Sequence, residues 1–516
     1  MGWSREIEDI HAKRKAALEQ GGAEAVARQH AQGRLTVRER IDGLVDPDSF
    51  REHGRGAGGV ERHADGTLKS FTPANFVVGM GRIDGRLVAV GGEDFTVRGG
   101  SPNAAGLRKS VYIEDLALQY RVPLVRLHEG GGGSVTGAGG GGPVGEAVHA
   151  PRRFASVAEC MGAVPVATAA LGPVAGLPAS RLVAAHFAVM TRETAQVLIA
   201  GPAVVKRALG EDVTKEELGG VQVHARSGAI DNIAGDEADA LAQIRRFLSY
   251  LPQNAWQVPA RADTDDDPAR ADDELRGIVP ENRRKFFNMR RAISMIVDRD
   301  SIFEMSRQYG PGQITMLARL NGYPVGVFSN DSRFYAGAMT ADGARKARRF
   351  IEFCETFNLP IVSFVDEPGF MIGSQAEQEG AIRAGTAAVL AAATCRSPWA
   401  SVIMRKSFGV AQGAHYGPGA YVLGWPSAEM GALPLEGGVA VAFGREIEAA
   451  DDPEAKRAEI EARMAATLSP ARRAESFSMH ELIDPRETRP MLCEWVEWSQ
   501  QQLEAQRGPS RFAIRP

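Results

Sequence analysis

At 516 residues the chain is too long for one hydrophobic core, so we expect at least two large domains. Its apolar content (44%) and charged content (24%) are ordinary for a globular protein, and the net charge of -4 gives no reason to expect nucleic acid or an anionic membrane as partner. Four cysteines without CxxC spacing argue against a zinc site or a disulfide framework and predict a cytoplasmic protein. The N-terminus lacks the apolar core of a signal peptide, and no window reaches the roughly 18 apolar residues of a membrane span.

The patterning along the chain predicts alternating helices and strands. In chain order we expect a charged helix at 4–31, strands at 76–95 with a turn at Asp84-Gly85, a helix at 107–121, a buried strand at 122–127 and a charged helix at 451–466. A glycine-rich tract follows the buried strand, and nine of the thirteen residues from 130 to 142 are glycine. The acidic segment 260–277 is predicted to be a linker, because its composition is unsuited to a core.

An internal repeat divides the chain into two copies. "GRIDGRLVAVGGEDF" at 81 resembles "ARLNGYPVGVFSNDS" at 318, with Gly322 following Gly85 by 237 residues. The same offset pairs Lys109 with Lys346, Gly172 with Gly409 and Gly176 with Gly413. We therefore predict an α/β protein with two domains related by duplication, at 1–259 and 278–516, joined by the linker.

Each copy contains glycine-rich backbone directly after predicted buried strands. In the first copy these loops are 129–134 and 172–176, and in the second copy 366–369 and 409–413. Backbone N–H groups at a strand-to-helix junction lack partners, and two that converge can form an oxyanion hole. Tight turns of an α/β fold are an alternative explanation. A phosphate-binding loop is another, although "GGGGSVTG" lacks the GK[ST] ending of a P-loop.

Six further segments identify a family. They are "GRLTVRERIDGLVDPDSF" (33–50), "EDFTVRGGS" (93–101), "GPAVVKRALGEDVTKEELGG" (201–220), "DEPGFMIG" (366–373), "MRKSFG" (404–409) and "GWPSAEMGA" (424–432). Together they resemble the carboxyltransferase (β) subunit of biotin-dependent acyl-CoA carboxylases, the propionyl-CoA and methylcrotonyl-CoA carboxylase group, over nearly the whole chain.

The resemblance implies two crotonase-fold domains of the ClpP/crotonase superfamily. The first holds the acyl-CoA and the second holds carboxybiotin, and the active site in the family lies between the first domain of one subunit and the second domain of its partner. The reaction moves CO₂ from N1 of biotin to the α-carbon of the thioester. Two anions, the thioester enolate and the biotin ureido oxygen, then need one oxyanion hole each. Backbone donors suffice, and no metal is implied.

Carried over by position, the resemblance assigns catalytic and substrate-binding roles to residues of four loops. Gly131 and Gly132 are predicted to form the acyl hole, and Val410 and Ala411 the biotin hole. The substrate-binding set predicted around these holes is Gly130, Gly133, Gly172, Gly176, Gly409 and Gly413.

The chain departs from the family's motifs around the acyl site. Gly132-Gly133 and Leu177-Pro178 replace other residues there, and Gly413 stands where the family often has a larger side chain, so we expect a remodelled and wider acyl pocket. For His128, Lys109 and Lys346 we favour structural or exposed roles, whereas for His415 a structural and a catalytic role stay equally open. Glu129 and Asp366 are expected to hold their own loops rather than to act as acids or bases.

The expected partners follow from what the chain lacks. We find no ATP-binding domain and no biotin-accepting Met-Lys-Met segment, so the resemblance implies a separate biotin carboxylase and biotin carrier (the α subunit), in one polypeptide or two. It also implies self-association as dimers that form a hexamer. A biotin-dependent decarboxylase, a crotonase-like lyase without biotin, and a non-catalytic scaffold subunit remain as alternatives, although a second domain with its own loop argues against the lyase.

Overall fold

The computed structural model of the protein describes residues 3–132, 154–282, 285–467 and 469–509. Contacts within the chain divide it into two compact units: unit 1 extends to Trp256, and unit 2 begins at Gln257. Of the described helices, none is long and apolar enough to cross a membrane. The four cysteines are buried free thiols.

Unit 1 alternates strands and helices over its described length. Its strands are β1 (Arg51–Glu52), β2 (Gly58–Arg62), β3 (Leu68–Pro73), β4 (Phe76–Ile83), β5 (Arg86–Glu93), β6 (Leu124–Gly130), β7 (Val166–Ala175), β8 (Phe187–Thr191), β9 (Gln196–Leu198) and β10 (Asn232–Ala234). Its helices are α1 (Ser4–Leu18), α2 (Ala23–Ala31), α3 (Val37–Leu44), α4 (Ala104–Tyr120), α5 (Ala155–Ala163), α6 (Leu177–Val183), α7 (Pro202–Leu209), α8 (Lys215–Gly219), α9 (Val221–Ser227) and α10 (Glu237–Ser249).

Unit 2 follows a similar plan. Its strands are β11 (Phe303–Met305), β12 (Gln313–Leu320), β13 (Tyr323–Asn330), β14 (Ile361–Glu367), β15 (Trp399–Phe408), β16 (Tyr421–Gly424), β17 (Glu429–Gly431) and β18 (Glu481–Leu482). Its helices are α11 (Met289–Ile296), α12 (Ala341–Thr356), α13 (Ser374–Gln378), α14 (Ala381–Thr394), α15 (Leu435–Glu448), α16 (Pro453–Thr467), α17 (Pro470–Glu475) and α18 (Thr488–Gln506).

Each unit is built on one eight-stranded sheet of the same strand order. The order is β1-β4-β5-β6-β7-β8-β10 in unit 1, with β9 beside β7, and β11-β12-β13-β14-β15-β16-β18 in unit 2, with β17 beside β15. The first three strands of each order pair antiparallel and the remaining pairs are parallel. Every residue of β6 and of β14 is buried, as expected for central parallel strands covered on both faces. The predicted α/β fold with an internal duplication is confirmed.

The offset of 237 residues holds through the fourth strand of each sheet order, β6 in unit 1 and β14 in unit 2, and then changes. It relates β4, β5 and β6 to β12, β13 and β14, and also relates the caps of the next long helices, Asn103 and Thr340. Beyond that point Leu124 pairs with Val166, and Ile361 pairs with Trp399, so the offset of the next strand is 233 (399 − 166).

The shift corrects two of the predicted pairs. Gly409 matches Gly176 rather than Gly172, because both follow their strand and cap the next helix, and Gly413 does not match Gly176. The connection between β6 and β7 in unit 1 is four residues longer than the connection between β14 and β15 in unit 2. A sequence comparison that allows no gaps cannot detect this difference in length.

The acidic segment packs within unit 2, unlike the free linker that we expected. Arg270 Nε lies 2.7 Å from Asp266 Oδ1, and Arg489 donates from Nη2 to the Asp266 carbonyl at 3.1 Å. Arg270 within the segment and Arg489 of α18 thus both pair with the Asp266 carboxylate, which packs the segment that its composition predicted to be unpacked. The predicted helix at 4–31 is likewise two helices, divided at Gly22, whose φ of 89° ends helical geometry.

Candidate active site

Two loops of unit 1 meet at the carboxyl ends of β6 and β7. β6 ends at Gly130 and is followed by Gly131 and Gly132, and β7 ends just before Gly176. A Cβ placed on Gly132 would lie 3.4 Å from the Gly176 Cα and 3.5 Å from its nitrogen. The structure therefore brings together two of the residues predicted for the acyl site, and their closeness depends on glycine.

The other glycines of the first loop differ in what they can offer a ligand. The Gly131 N–H, a predicted donor, points to the Gly99 carbonyl at 3.2 Å, so it is engaged within the protein. Gly130 is buried at the end of β6, where an added Cβ would lie 3.1 Å from Glu93 Cγ. Gly133 lies outside the described residues.

Gly172 makes room for a buried carboxylate. It lies within β7, and a Cβ there would come within 2.4 Å of Glu129 Oε1. Glu129 is fully buried, and its oxygens lie 2.6 Å from Arg40 and 3.2 Å from Arg34. Gly172 thus has a packing role, and its part in substrate binding stays a prediction. The expectation that Glu129 holds local structure fits these ion pairs, although arginines of the N-terminal helical region, and not backbone N–H groups, are the partners.

The corresponding loop of unit 2 follows β15. Gly409 adopts φ 64° and ψ -163° and caps the 3-10 helix Val410–His415, just as Gly176, at φ 66°, caps α6. The first N–H groups of a helix have no intrahelical partner, so those of Val410 and Ala411 can face a ligand. The Val410 side chain is 68% exposed and Ala411 is fully buried. This geometry is suited to the predicted biotin hole.

The surroundings of the unit 2 loop fix its position. Ser407 hydrogen-bonds Gln412 at 2.9 Å and the Tyr416 hydroxyl at 2.8 Å. An added Cβ on Gly413 would lie 3.1 Å from Val389 Cγ1 of α14. The lack of a side chain at 413 is therefore needed for the contact with α14, which is a different reason from the wider pocket that we expected.

Buried acid–histidine pairs support both loops. His128 Nδ1 lies 3.2 Å from Glu93 Oε2, and His415 Nε2 lies 3.5 Å from Glu367 Oε2, while His415 Nδ1 lies 2.7 Å from Ser363 Oγ. Burial raises the pKa of Glu367, whose Oε1 accepts the Gly369 N–H at 2.9 Å. His128 and His415 are 1% and 0% exposed, so both serve the packing of their loops in this structure.

The matched lysines of the repeat are buried, although we expected exposed helix positions. Lys346 donates from Nζ to the carbonyls of Ser306, Tyr309 and Gln313, at 2.7–3.0 Å. Lys109 has weaker partners, with Nζ 3.4 Å from the Gly54 carbonyl. Burial lowers the pKa of Lys109 to about 8.

A group of charged side chains beneath the unit 1 loops was not anticipated from the sequence. It contains Glu114 of α4, Arg126 of β6 and Arg181 of α6, all buried. The sequence does contain a signal that could have revealed this group, because "LVRLHE" carries charged or polar residues at alternate positions of an otherwise apolar strand. Among the described residues no cluster of three or more His, Cys, Asp or Glu could hold a metal ion.

Comparison with known proteins identifies the family. The carboxyl transferase domain matches residues 28–512. The chain belongs to the carboxyl transferase family. It is 35% identical over 497 residues to the carboxyltransferase subunit of propionyl-CoA carboxylase from Haloferax mediterranei, with 94% of each chain covered. It is 34% identical over 501 residues to methylmalonyl-CoA decarboxylase subunit alpha from Veillonella parvula, again with 94% of each covered.

A solved structure shows the same fold at high similarity. The crystal structure of transcarboxylase 12S, a hexamer with methylmalonyl-coenzyme A and methylmalonic acid bound, matches with a TM-score of 0.86 and 33% identity over 99% of this chain and 97% of that one. The crotonase-like fold and the enzymatic function predicted from the resemblance, carboxyl transfer between biotin and an acyl-CoA, are thereby confirmed.

Proposed function

We propose that unit 1 of this carboxyltransferase binds the acyl-CoA and stabilises its enolate with the N–H groups of Gly132 and Leu177. The close approach of Gly132 to Gly176 is the observation that carries the proposal, because Leu177 directly follows Gly176 as the first residue of α6. Gly131 is replaced as a donor, since its N–H already bonds to the Gly99 carbonyl.

The two units differ in where their free donors lie. In unit 1 the second helical position is Pro178, which has no N–H, so of the first two helical positions Leu177 alone offers a donor and the preceding loop supplies the other. In unit 2 the loop after β14 contains Pro368, and the Gly369 N–H bonds to Glu367. Both donors of unit 2 must then come from the helix, as Val410 and Ala411.

Unit 2, in this proposal, stabilises the ureido oxygen of biotin while the carboxyl group transfers. Val410 and Ala411 each contribute a backbone N–H, with Gly409 setting the direction of the turn. No side chain acts as a nucleophile, and biotin accepts the α-proton. The biotin arrives on a separate carrier that a biotin carboxylase loads, and the chain works in the cytoplasm as a hexamer of paired subunits. The fold match to the hexameric transcarboxylase 12S supports this assembly.

Removing one donor from each unit tests the proposal. Ala411→Pro deletes an N–H at the second helical position, where unit 1 carries Pro178, and it should lower kcat by about 10²–10³-fold. Ala411→Gly keeps the N–H and is the matched control. In unit 1, Gly132→Ala should lower kcat/KM for the acyl-CoA because its methyl group enters the space beside Gly176, whereas Gly59→Ala, which meets nothing within 4 Å, should not.

The assay combines the chain with its biotin-carrying partner, ATP and labelled bicarbonate, and tests acetyl-, propionyl- and butyryl-CoA. Folded Ala411→Pro with wild-type turnover would contradict the assignment of the biotin hole. Transfer that runs only from a carboxylated acyl-CoA to biotin would instead favour the decarboxylase direction, and no transfer in either direction would favour a scaffold.

A further inference from the structure

Helix α1 turns an apolar stripe away from unit 1. Trp3, the residue just before the helix, is 75% exposed, and Ile7, Ile10 and Leu18 within the helix are 49%, 46% and 54% exposed. Together with Arg14 they follow one another at intervals of four, three, four and four residues, which is the spacing of one face of a helix. A surface helix ordinarily packs such a face against the core, so this helix exposes the side that burial would favour.

Polar contacts fix the orientation of α1 on unit 1. Asp9 Oδ2 lies 2.8 Å from Arg62 Nη2 of β2 and 3.1 Å from Lys13 Nζ. Arg5 donates from Nη2 to the Asp65 carbonyl at 2.8 Å. At about 100° per residue these contacts lie on the side of the helix opposite the stripe. The helix is thus held by its polar side, and its apolar side stays exposed in the single chain.

The stripe has the symmetry of a surface that can pair with itself. Its midpoint lies just after Ile10, and Trp3 and Leu18 are equally far from that midpoint, as are Ile7 and Arg14. A two-fold axis through the midpoint, with the helices of two copies antiparallel, places Trp3 of one copy against Leu18 of the other. It also places Ile7 against the aliphatic part of Arg14. Each apolar side chain of the stripe then meets a side chain that can cover it.

Charge decides the direction of the pairing. Residues 4–10 contain one arginine and three acidic residues, whereas residues 12–18 contain three basic residues. Glu6 borders the stripe, and within the part of the chain that the structure describes neither Glu6 nor Arg14 has an ion-pair partner. The antiparallel arrangement brings Glu6 of each copy level with Arg14 of the other. A parallel arrangement would bring the two Arg14 side chains together instead, and like charges across a contact disfavour it.

The contact is too small to hold two chains together by itself. With 15 residues α1 is about 22 Å long and about 10 Å wide. Two faces of this size remain well below the roughly 1,000 Å² that a stable specific interface buries. The pairing therefore adds to a larger interface between subunits, where a second contact gains from the high effective concentration that the first one creates.

We propose that α1 is a self-association surface, whose stripe packs against the same stripe of a second copy of this chain in an antiparallel, two-fold pair. The contact strengthens the paired-subunit assembly of the proposed function and takes no part in carboxyl transfer. The inference rests on that assembly for its strength, because the helices alone bury little area, whereas the symmetry and charge of the stripe set its geometry.

Paired cysteines in the full chain test the geometry. Ile7→Cys mixed with Arg14→Cys should form a disulfide-linked dimer under mild oxidation, and each variant alone should link about tenfold less, because an antiparallel pair separates identical positions. The four native cysteines are buried and compete little. Ala12→Cys, exposed but outside the stripe, takes the place of Arg14→Cys as the matched control and should not link to Ile7→Cys.

Two results of this experiment would overturn the inference. Ile7→Cys that links to itself as readily as to Arg14→Cys would show a parallel pair. A mixture that does not link would show that the stripe meets a different surface, of another subunit or of the biotin-carrying partner.

Sedimentation of the full chain over a range of concentrations tests the contribution to assembly. Ile10→Glu puts two carboxylates beside the two-fold axis and should raise the concentration of half-dissociation about tenfold or more, while Ile10→Leu should not. Glu6→Arg should raise it about threefold to tenfold, and adding Arg14→Glu to that variant should restore the wild-type value. An Ile10→Glu chain that sediments like the wild type would contradict the inference. A wild-type chain that is monomeric throughout would refute the proposed assembly, while the cysteine pair still decides whether the helices meet.

Discussion

Gly176 and Gly409 occupy the same place in the two units: each directly follows a central parallel strand, caps the next helix, and has a left-handed φ, of 66° and 64° respectively. L-residues rarely adopt this φ, and the accompanying ψ values of -128° and -163° leave glycine as the residue that fits. The same turn therefore directs the first N–H groups of both helices outward.

Gly409→Ala is expected to abolish most carboxyl transfer while the chain remains folded. The added Cβ has room, since its nearest neighbour is the Ala432 carbonyl at 3.5 Å, so the effect comes from backbone strain of about 1–3 kcal/mol that the turn relieves by rotating Val410 away. The measurement is kcat together with the thermal midpoint. Gly419→Ala, at φ 69° with nothing within 4 Å, is the control and should lose only stability. Equal activity in the two variants would show that the turn does not aim the donors.

Gly172→Ala should destabilise unit 1 without a specific catalytic defect. Its methyl group would overlap the Glu129 carboxylate, which two arginines hold in place, so we expect a loss of about 1–3 kcal/mol. Thermal unfolding should show a lower midpoint, and kcat per folded molecule should stay near the wild-type value. Gly59→Ala, in strand β2 with open space around it, provides the comparison. A large fall in kcat at full stability would restore a substrate-binding role for Gly172.

Gly413→Ile should move α14 before it changes the acyl preference. Even a Cβ lies 3.1 Å from Val389 Cγ1, so the larger side chain forces the helix aside and lowers the thermal midpoint. Gly413→Ile combined with Val389→Ala should recover part of that stability. Comparing kcat/KM for acetyl-, propionyl-, butyryl- and a branched acyl-CoA in the double variant then tests pocket width by itself. An unchanged profile there would exclude Gly413 as a determinant of chain length.

We predict that Lys109 makes the folded chain more stable as the pH rises above 8. Its pKa in the folded chain is lowered to about 8 from an ordinary 10.5, so between these values the unfolded chain binds one proton more, and stability rises with pH. Below pH 8 both states carry the proton and the contribution is constant. The rise should approach about 1.4 kcal/mol per pH unit and be absent in Lys109→Met, measured as the difference in thermal midpoint between the two proteins from pH 7.5 to 10. Parallel curves would contradict the lowered pKa.

The sequence predicted local elements and the duplication well, and long-range contacts poorly. Strands β4 to β6 follow from apolar runs and a turn at Asp84-Gly85, and the repeat located their counterparts in unit 2. The sequence pattern predicts Lys346, in contrast, as an exposed charged position on a helix. Its burial depends on hydrogen bonds to three carbonyls more than thirty residues away, which the local pattern does not show. The contact between the Gly131 N–H and the Gly99 carbonyl was missed for the same reason, since that carbonyl belongs to another loop.

A fragment that contains unit 1 alone needs the arginines that pair with the buried Glu129. Its counterions, Arg34 and Arg40, lie on or beside the short helix α3, and Arg40 also pairs with Glu237 at 2.6 Å. A fragment that starts at the first strand of the sheet would bury Glu129 and Glu237 without the arginines that pair with them, a loss of about 3–5 kcal/mol for each broken buried pair. Helix α3 and the residues that precede it are thus an integral part of the folding unit, and fragments for expression or crystallisation have to begin ahead of Arg34.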